Sequence, residues 1–232
     1  MLREDMLKEG ETLDDLLSDG LMIIQGRDTY RFGSDSVRLA EFASPRRGEK
    51  VLDLGCGDGV LPLLMWSKDH SLHFVGAEIR SDACDRAQRS VRMNSLEEYI
   101  TVLCCDIREL PENVERGGFD LCVCNPPYWG TDRFEDDGAR TWKYFSWEDL
   151  FGAAARSLRL KGRLCVIIPA EKTDGFLACA FGHDFALKRL QAVHAHRNAC
   201  AKRVLTELVY KGRPGGVRVM PPVILDMGKD IK

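Results

Sequence analysis

The tetrapeptide Asn125-Pro126-Pro127-Tyr128 closes an apolar run, Phe119-Asp120-Leu121-Cys122-Val123-Cys124, that reads as a buried strand. Polar groups at the tip of a buried strand are where α/β proteins place their chemistry. Transfer of a group to an exocyclic or amide nitrogen needs acceptors for the N–H protons, so that the nitrogen lone pair faces the electrophile. The Asn125 side chain and the Pro126 carbonyl can supply both. Two prolines stiffen the turn, and the first biases Asn125 toward extended geometry. Tyr128 offers a flat face on which a planar substrate can stack. An ordinary strand-to-loop turn is the competing reading, since Asn, Pro and Tyr are all common there.

Upstream, Val51-Leu52-Asp53-Leu54 leads into Gly55-Cys56-Gly57-Asp58-Gly59 and then into a helix-compatible run from Val60 to Trp66. Strand, glycine loop and helix in that order suit a nucleoside ligand, because glycines let the backbone turn sharply and approach closely. The spacing departs from the dinucleotide fingerprint, with Val60 where a glycine or alanine is wanted, and Asp58 disfavours a pyrophosphate. A tight turn of no chemical consequence is the bland alternative. Leu72 to Glu78 is a second strand ending on an acid, placed to accept both ribose hydroxyls. Ile100 to Asp106 is a third, where Asp106 can accept an adenine amino group while Ile107 packs on the ring. Either acid alone is better explained as a helix cap or a solvated loop charge; three polar strand tips in succession strain that explanation.

The elements that must hold these tips follow from periodicity. Ala83, Ala87 and Val91 fall at helical spacing after a potential cap at Ser81. Another helix is expected from Ser146, with Asp149 three residues on, Leu150, Phe151, Ala154, Ala155 and Leu158 on one face, and Gly162 at its end. Arg163 to Ile168, Phe185 to Val193 and Arg203 to Tyr210 read as strands, and Lys172 to Ala180 as a short helix. Alternating strands and helices imply an α/β fold with a mostly parallel sheet and helices on both faces.

With these residues in view, the chain resembles the class I S-adenosylmethionine-dependent methyltransferases that carry the amino-methylating Asn-Pro-Pro-Tyr motif. The likeness covers at least residues 50 to 210. Leu13 to Leu17, Leu21 to Gln25, Tyr30 to Val37, Arg203 to Glu207 and Pro221 to Leu225 further resemble bacterial tRNA (adenine-N6)-methyltransferases acting beside the anticodon of a valine tRNA. The resemblance implies a Rossmann-like seven-stranded sheet with an antiparallel last strand, in one domain spanning 1–232 with an N-terminal extension, 1–48, packed on the core. It implies that Asp53, Gly55, Gly57 and Gly59 shape the methionine side of the S-adenosylmethionine pocket, that Glu78 holds the ribose, and that Asp106 and Ile107 frame the adenine. Phe32, Gly33 and Asp35 close that pocket. Asn125 lines it and, with the Pro126 carbonyl, orients the target amine; Pro127 completes the motif and Tyr128 stacks on the flipped base. Neighbouring readings are methylation of a protein glutamine amide, of a guanine N2 in ribosomal RNA, and a silent RNA-binding scaffold. The glutamine enzymes carry a longer helical N-terminal domain than the fifty or so residues that precede Val51, and a scaffold has no need of an aimed acceptor pair.

Composition agrees. The chain has 232 residues, 44% of them hydrophobic, enough for a substantial core in one domain. No secretory or membrane-spanning run is present, and nine cysteines, an odd number without a CxxC pair, fit a reducing compartment, so a soluble cytoplasmic protein without zinc is expected. Cys104, Cys105, Cys122 and Cys124 are expected to pack as small apolar groups, and His194 and His196 as non-ligands. Net charge is −3, yet residues 183–218 hold eight Lys and Arg against Asp184 and Glu207, a local +6 that leaves −9 for the remainder. That basic segment suits tRNA phosphates, although edge-strand protection would also explain it. The loop 129–145 mixes Arg133, Arg140 and Lys143 with Trp129, Phe134, Trp142 and Tyr144, and suits either an RNA contact or a lid packed by its own aromatics.

Overall fold

A computed structural model describes residues 6–27, 33–116, 118–126 and 146–225. Phe32, Pro127, Tyr128 and the loop 129–145 lie outside the described residues.

The order of elements is β1 (Glu11–Asp15), β2 (Met22–Gly26), α1 (Ser34–Ala43), β3 (Lys50–Leu54), α2 (Val60–Trp66), β4 (His73–Glu78), α3 (Ser81–Met93), β5 (Ile100–Cys104), α4 (Glu112–Glu115) and β6 (Phe119–Cys124). There follow α5 (Trp147–Ser157), β7 (Leu158–Pro169), α6 (Thr173–Gly182), β8 (Phe185–His194), β9 (Ala201–Tyr210), β10 (Arg218–Val219) and β11 (Val223–Ile224). The main sheet has the order β10-β8-β9-β7-β6-β3-β4-β5, with β11 also on β8. Seven long strands thus form the expected sheet, and two short strands add to its edge. Only β9 runs antiparallel, to both β7 and β8. The middles of the central strands are largely apolar because helices cover both faces: Leu121, Cys122, Val123 and Cys124 are all fully buried.

From β3 the chain crosses to β4 and β5 on one side, then returns to lay β6 on the other side of β3. The strand order therefore reverses at β3 and β6, and the carboxyl ends of strands at such a reversal are where open parallel sheets receive ligands. Asp53 pairs with Val123 and Leu54 with Ala77, so the glycine loop leaves the sheet between Asn125 and Glu78 at one level.

The β1–β2 hairpin packs on α3. Asn94 clasps Met22 through both its backbone groups, Ser90 Oγ accepts from the Ile24 N–H, and the buried Arg89 guanidinium meets Glu11. Leu16, Leu21 and Ile23 join the core on that face.

Three expectations are corrected. The helix begun by the Ser146–Asp149 capping box ends at Ser157, and Leu158 is already extended, so β7 starts five residues before Arg163. Gly162 lies inside that strand, where a Cβ would sit 2.9 Å from the Arg159 carbonyl; its missing side chain serves close packing there and ends no helix. Ser81 is the first residue of α3 and makes no side-chain cap. Cys104 is exposed, because β5 is the outermost strand and its end faces solvent, whereas Cys122 and Cys124 are buried as expected.

Candidate active site

Asp53, at the end of β3, is fully buried, and neither carboxylate oxygen has a hydrogen-bond partner among the described residues. Burial, together with the charge of Glu78, pushes its pKa well above the usual carboxylate range. Native proteins rarely leave a buried polar group orphaned, so Asp53 suits a ligand bearing a donor or a cation. The loop that follows is pinned by its backbone: the Gly55 and Cys56 N–H groups donate to the Ala77 carbonyl at 2.9 and 3.0 Å. Gly55, Gly57 and Gly59 all have positive φ, and Cβ atoms at Gly55 and Gly57 would meet only open space. Side chains at those two positions would project into the crevice that a ligand needs.

Glu78 is buried and held in place by the loop. Its Oε2 accepts from the Gly57 N–H at 2.8 Å and its Oε1 from the Arg80 N–H at 2.9 Å. Each oxygen keeps a lone pair, which suits a pair of hydroxyl donors. Asp58 points away from the crevice into a buried pair with Arg86 at 2.8 Å, so the charge that the sequence places beside the loop is neutralised within the protein. Ile107 is buried. Asp106 accepts from the Arg108 N–H and is gripped by the Arg108 guanidinium, whose hydrogen bonds hold its pKa below the ordinary value. It therefore caps the turn Ile107–Glu109, and any ligand amine must share it with Arg108.

On the other side of the crevice, Asn125 Nδ2 donates to Ser36 Oγ at 2.9 Å, while Oδ1 is buried and has no partner among the described residues. The amide is thereby left with a free acceptor. Ser36 was not marked by the sequence as a site residue; 89 positions separate it from Asn125, and no spacing pattern connects them. Gly33 precedes the first turn of α1, and Asp35 there accepts from Arg203 Nε at 3.1 Å, docking the helix on β9. Pro126 is buried beside Asn125. Asp53, the glycine loop, Glu78 and Asn125 stand at the same carboxyl end of the neighbouring strands β6, β3 and β4, with Ser36 bonded to the amide. Among the described residues no cluster of three His, Cys, Asp or Glu side chains could hold a metal, and no helix is long and apolar enough to cross a membrane.

The arrangement fits S-adenosylmethionine by the chemistry of its donors and acceptors: an orphaned acid for an ammonium, a fixed carboxylate for ribose hydroxyls, and glycines where bulk is excluded. Comparison with known proteins agrees. The family model of the methyltransferase small domain matches residues 32–189. A protein of Phocaeicola vulgatus named tRNA1(Val) (adenine(37)-N6)-methyltransferase is 28% identical over 188 residues, which are 79% of this chain and 78% of that one. Among solved structures, a predicted O-methyltransferase from Agrobacterium tumefaciens superposes with a TM-score of 0.68 at 20% identity, over 84% of this chain and 90% of that one. Geranyl diphosphate C-methyltransferase from Streptomyces coelicolor, solved with S-adenosyl-L-homocysteine, superposes at 0.56 with 13% identity, over 76% and 78%. With two thirds of its length matched by the family model, the chain belongs to the methyltransferase small domain family and takes its methyl group from S-adenosylmethionine.

Proposed function

We propose that this enzyme methylates the N6 amine of an adenine in tRNA, at the adenine beside the anticodon of a valine tRNA. The observation that carries the reading is the buried Oδ1 of Asn125 at the end of β6, which has no partner among the described residues. A second support is the name shared by relatives across some four fifths of the chain.

In this reading Asn125 Oδ1 and the Pro126 carbonyl accept the two N–H bonds of the adenine amine. The lone pair, withdrawn from conjugation with the ring, is turned toward the methyl group. S-adenosylmethionine supplies an activated methyl on a positively charged sulfur. The new N–C bond forms as the C–S bond breaks, its electron pair returns to sulfur, and the amine sheds one proton to solvent. Asp53 holds the ammonium of the cofactor's methionine end, Glu78 its ribose, and Asp106 with Ile107 its adenine. Phe32, Gly33 and Asp35 close the pocket, and Tyr128 stacks on the flipped base. The basic segment 183–218 and the loop 129–145 contact the RNA, and the enzyme works in the cytoplasm with its substrate.

The test is incubation of the purified protein with labelled S-adenosylmethionine and bacterial tRNA lacking its native modifications, followed by digestion and mass identification of the labelled nucleoside. N6-methyladenosine is the expected product. Label in N2-methylguanosine, or in a glutamine-containing protein substrate instead of RNA, would replace the reading with one of its neighbours.

A further inference from the structure

A cavity of about 280 Å³ opens at the end of the sheet opposite Asn125, where β3, β6 and β7 begin. Arg163 on its wall pairs in register with Leu121, four residues before Asn125, which sets the two sites about 13 Å apart along the strand at ~3.3 Å per residue.

Three carboxylates line the cavity, and each is already paired with an arginine. Arg163 reaches Glu49 at 2.6 Å and Glu207 at 3.2 Å, and Arg159 takes Asp120 at 2.5 Å. The remaining cations of the lining are Arg46, Lys161, Lys188 and Arg218. None of the four has a carboxylate partner among the described residues. Lys161 donates to the Lys211 carbonyl, and Lys188 to the carbonyls of Arg213 and Gly215 at 2.6 and 2.8 Å. These bonds hold the ammonium groups in place without neutralising them. The lining holds six Lys and Arg against three carboxylates, a local excess of +3 in a protein whose net charge is negative, and that excess around one concavity favours an anion.

We propose that this cavity is a phosphate-binding site, and that its occupant during catalysis is the phosphodiester backbone of the RNA substrate. The choice of occupant rests on the tRNA reading above. It is favoured by the path between the two sites. From Lys188 the strand β8 climbs to Val193, which pairs with Arg203 next to Lys202 and Asp35. Lys188 and Arg218 thus stand at the cavity end of these strands and Lys202 at the other end beside Asp35, cations at two separated points that an extended polyanion can span and a small free anion does not need.

The test compares wild type with Arg46→Glu/Arg218→Glu and with the milder Arg46→Gln/Arg218→Gln; both arginines are exposed and stand outside the ion pairs. Binding of fluorescent unmodified tRNA is measured by anisotropy over a series of salt concentrations. For the charge-reversed pair the expected result is a dissociation constant raised at least about tenfold, and a plot of log affinity against log salt made shallower by about two. S-adenosylmethionine affinity, measured by calorimetry on the same preparations, stays at the wild-type value. Unchanged RNA affinity and slope in both variants overturn the proposal. Calorimetry with pyrophosphate separates the sources: a signal in wild type that the variants lose, with RNA affinity unaffected, assigns the site to a free anion and overturns the RNA occupant. Wild-type protein that binds RNA with the stated slope but makes no N6-methyladenosine sinks the adenine reading and leaves the phosphate site standing.

Discussion

Replacing Asn125 by alanine separates chemistry from architecture. In the proposed reading the change deletes a side-chain acceptor for the incoming amine. Loss of one preorganised hydrogen-bonding group at a reacting centre lowers kcat by about 10²–10³-fold. The stability effect is much smaller, because two local terms oppose each other. Oδ1 is buried without a partner among the described residues, a state that costs about 1–3 kcal/mol and that alanine relieves. The same change strips Ser36 Oγ, in a residue only 2% exposed, of its donor from Asn125 Nδ2, a loss of similar size. The melting temperature should therefore move by a few degrees at most, since 1 kcal/mol corresponds to about 2–4 °C in a chain of this length. Single-turnover methyl transfer to unmodified tRNA, calorimetric titration with S-adenosylmethionine and thermal melting are measured on the same preparations. Turnover within tenfold of wild type would refute the acceptor role. A fall in cofactor affinity that matches the fall in rate would also refute it, by making Asn125 part of the binding wall alone.

Three further outcomes follow from the geometry. Burial holds the pKa of Asp53 above its ordinary value, so the folded protein keeps a proton that the unfolded chain releases, and wild-type stability falls as pH rises from about 4 toward the folded pKa. Urea unfolding of cofactor-free protein across that range should show Asp53→Asn gaining on wild type with increasing pH, while its affinity for S-adenosylmethionine drops; a gap that closes with pH would mean an ionised, partnered Asp53. Gly59→Ala puts a Cβ at φ +87° and 3.2 Å from the Ala87 Cβ, and the left-handed strain alone should lower the melting temperature by about 2–8 °C. Arg163→Met leaves the buried Glu49 without its guanidinium and should cost about 3–5 kcal/mol in denaturant unfolding, whereas a loss below about 1 kcal/mol would show the ion cluster to be energetically idle.

Much of this arrangement is visible in the sequence wherever a single strand and its tip carry the information. The apolar run before Asn125, the glycines after Asp53 and the acid closing β4 each announce a buried parallel strand with a functional end. Contacts between distant segments leave no such trace. Nothing local marks Ser36 as the partner of Asn125 or Arg86 as the partner of Asp58, because each pairing depends on how a helix docks on the sheet. The misplaced end of α5 has a different cause. Leu158 continues the helical face of Leu150, Phe151 and Ala154, and it is buried in the structure as well, but as the first residue of a strand. One apolar residue satisfies both periods, and the sheet decides between them.

The helix α1 precedes every motif of the cofactor loop, yet it ties the two ends of the molecule together. Its first turn engages Asn125 through Ser36 and β9 through Asp35. About 10 Å further on, at 1.5 Å per residue, its last carbonyls receive two arginines, Arg189 on Phe42 at 2.7 Å and Arg163 on Ala43 at 2.9 Å. A helix anchored at both ends fixes the position of Ser36, and Ser36 in turn fixes which way the Asn125 amide faces. With Nδ2 spent on the hydroxyl, the oxygen is what remains, and in the proposed reading it meets the amine. The same geometry explains why an amide serves better here than a carboxylate. Asp53 and Glu78 already place two acids beside this crevice, and Asp53 alone pays heavily for its burial. A third carboxylate at position 125 would be driven toward its protonated form and would then present a donor where an acceptor is required. An asparagine held by a serine offers an acceptor whose direction and charge do not change with pH.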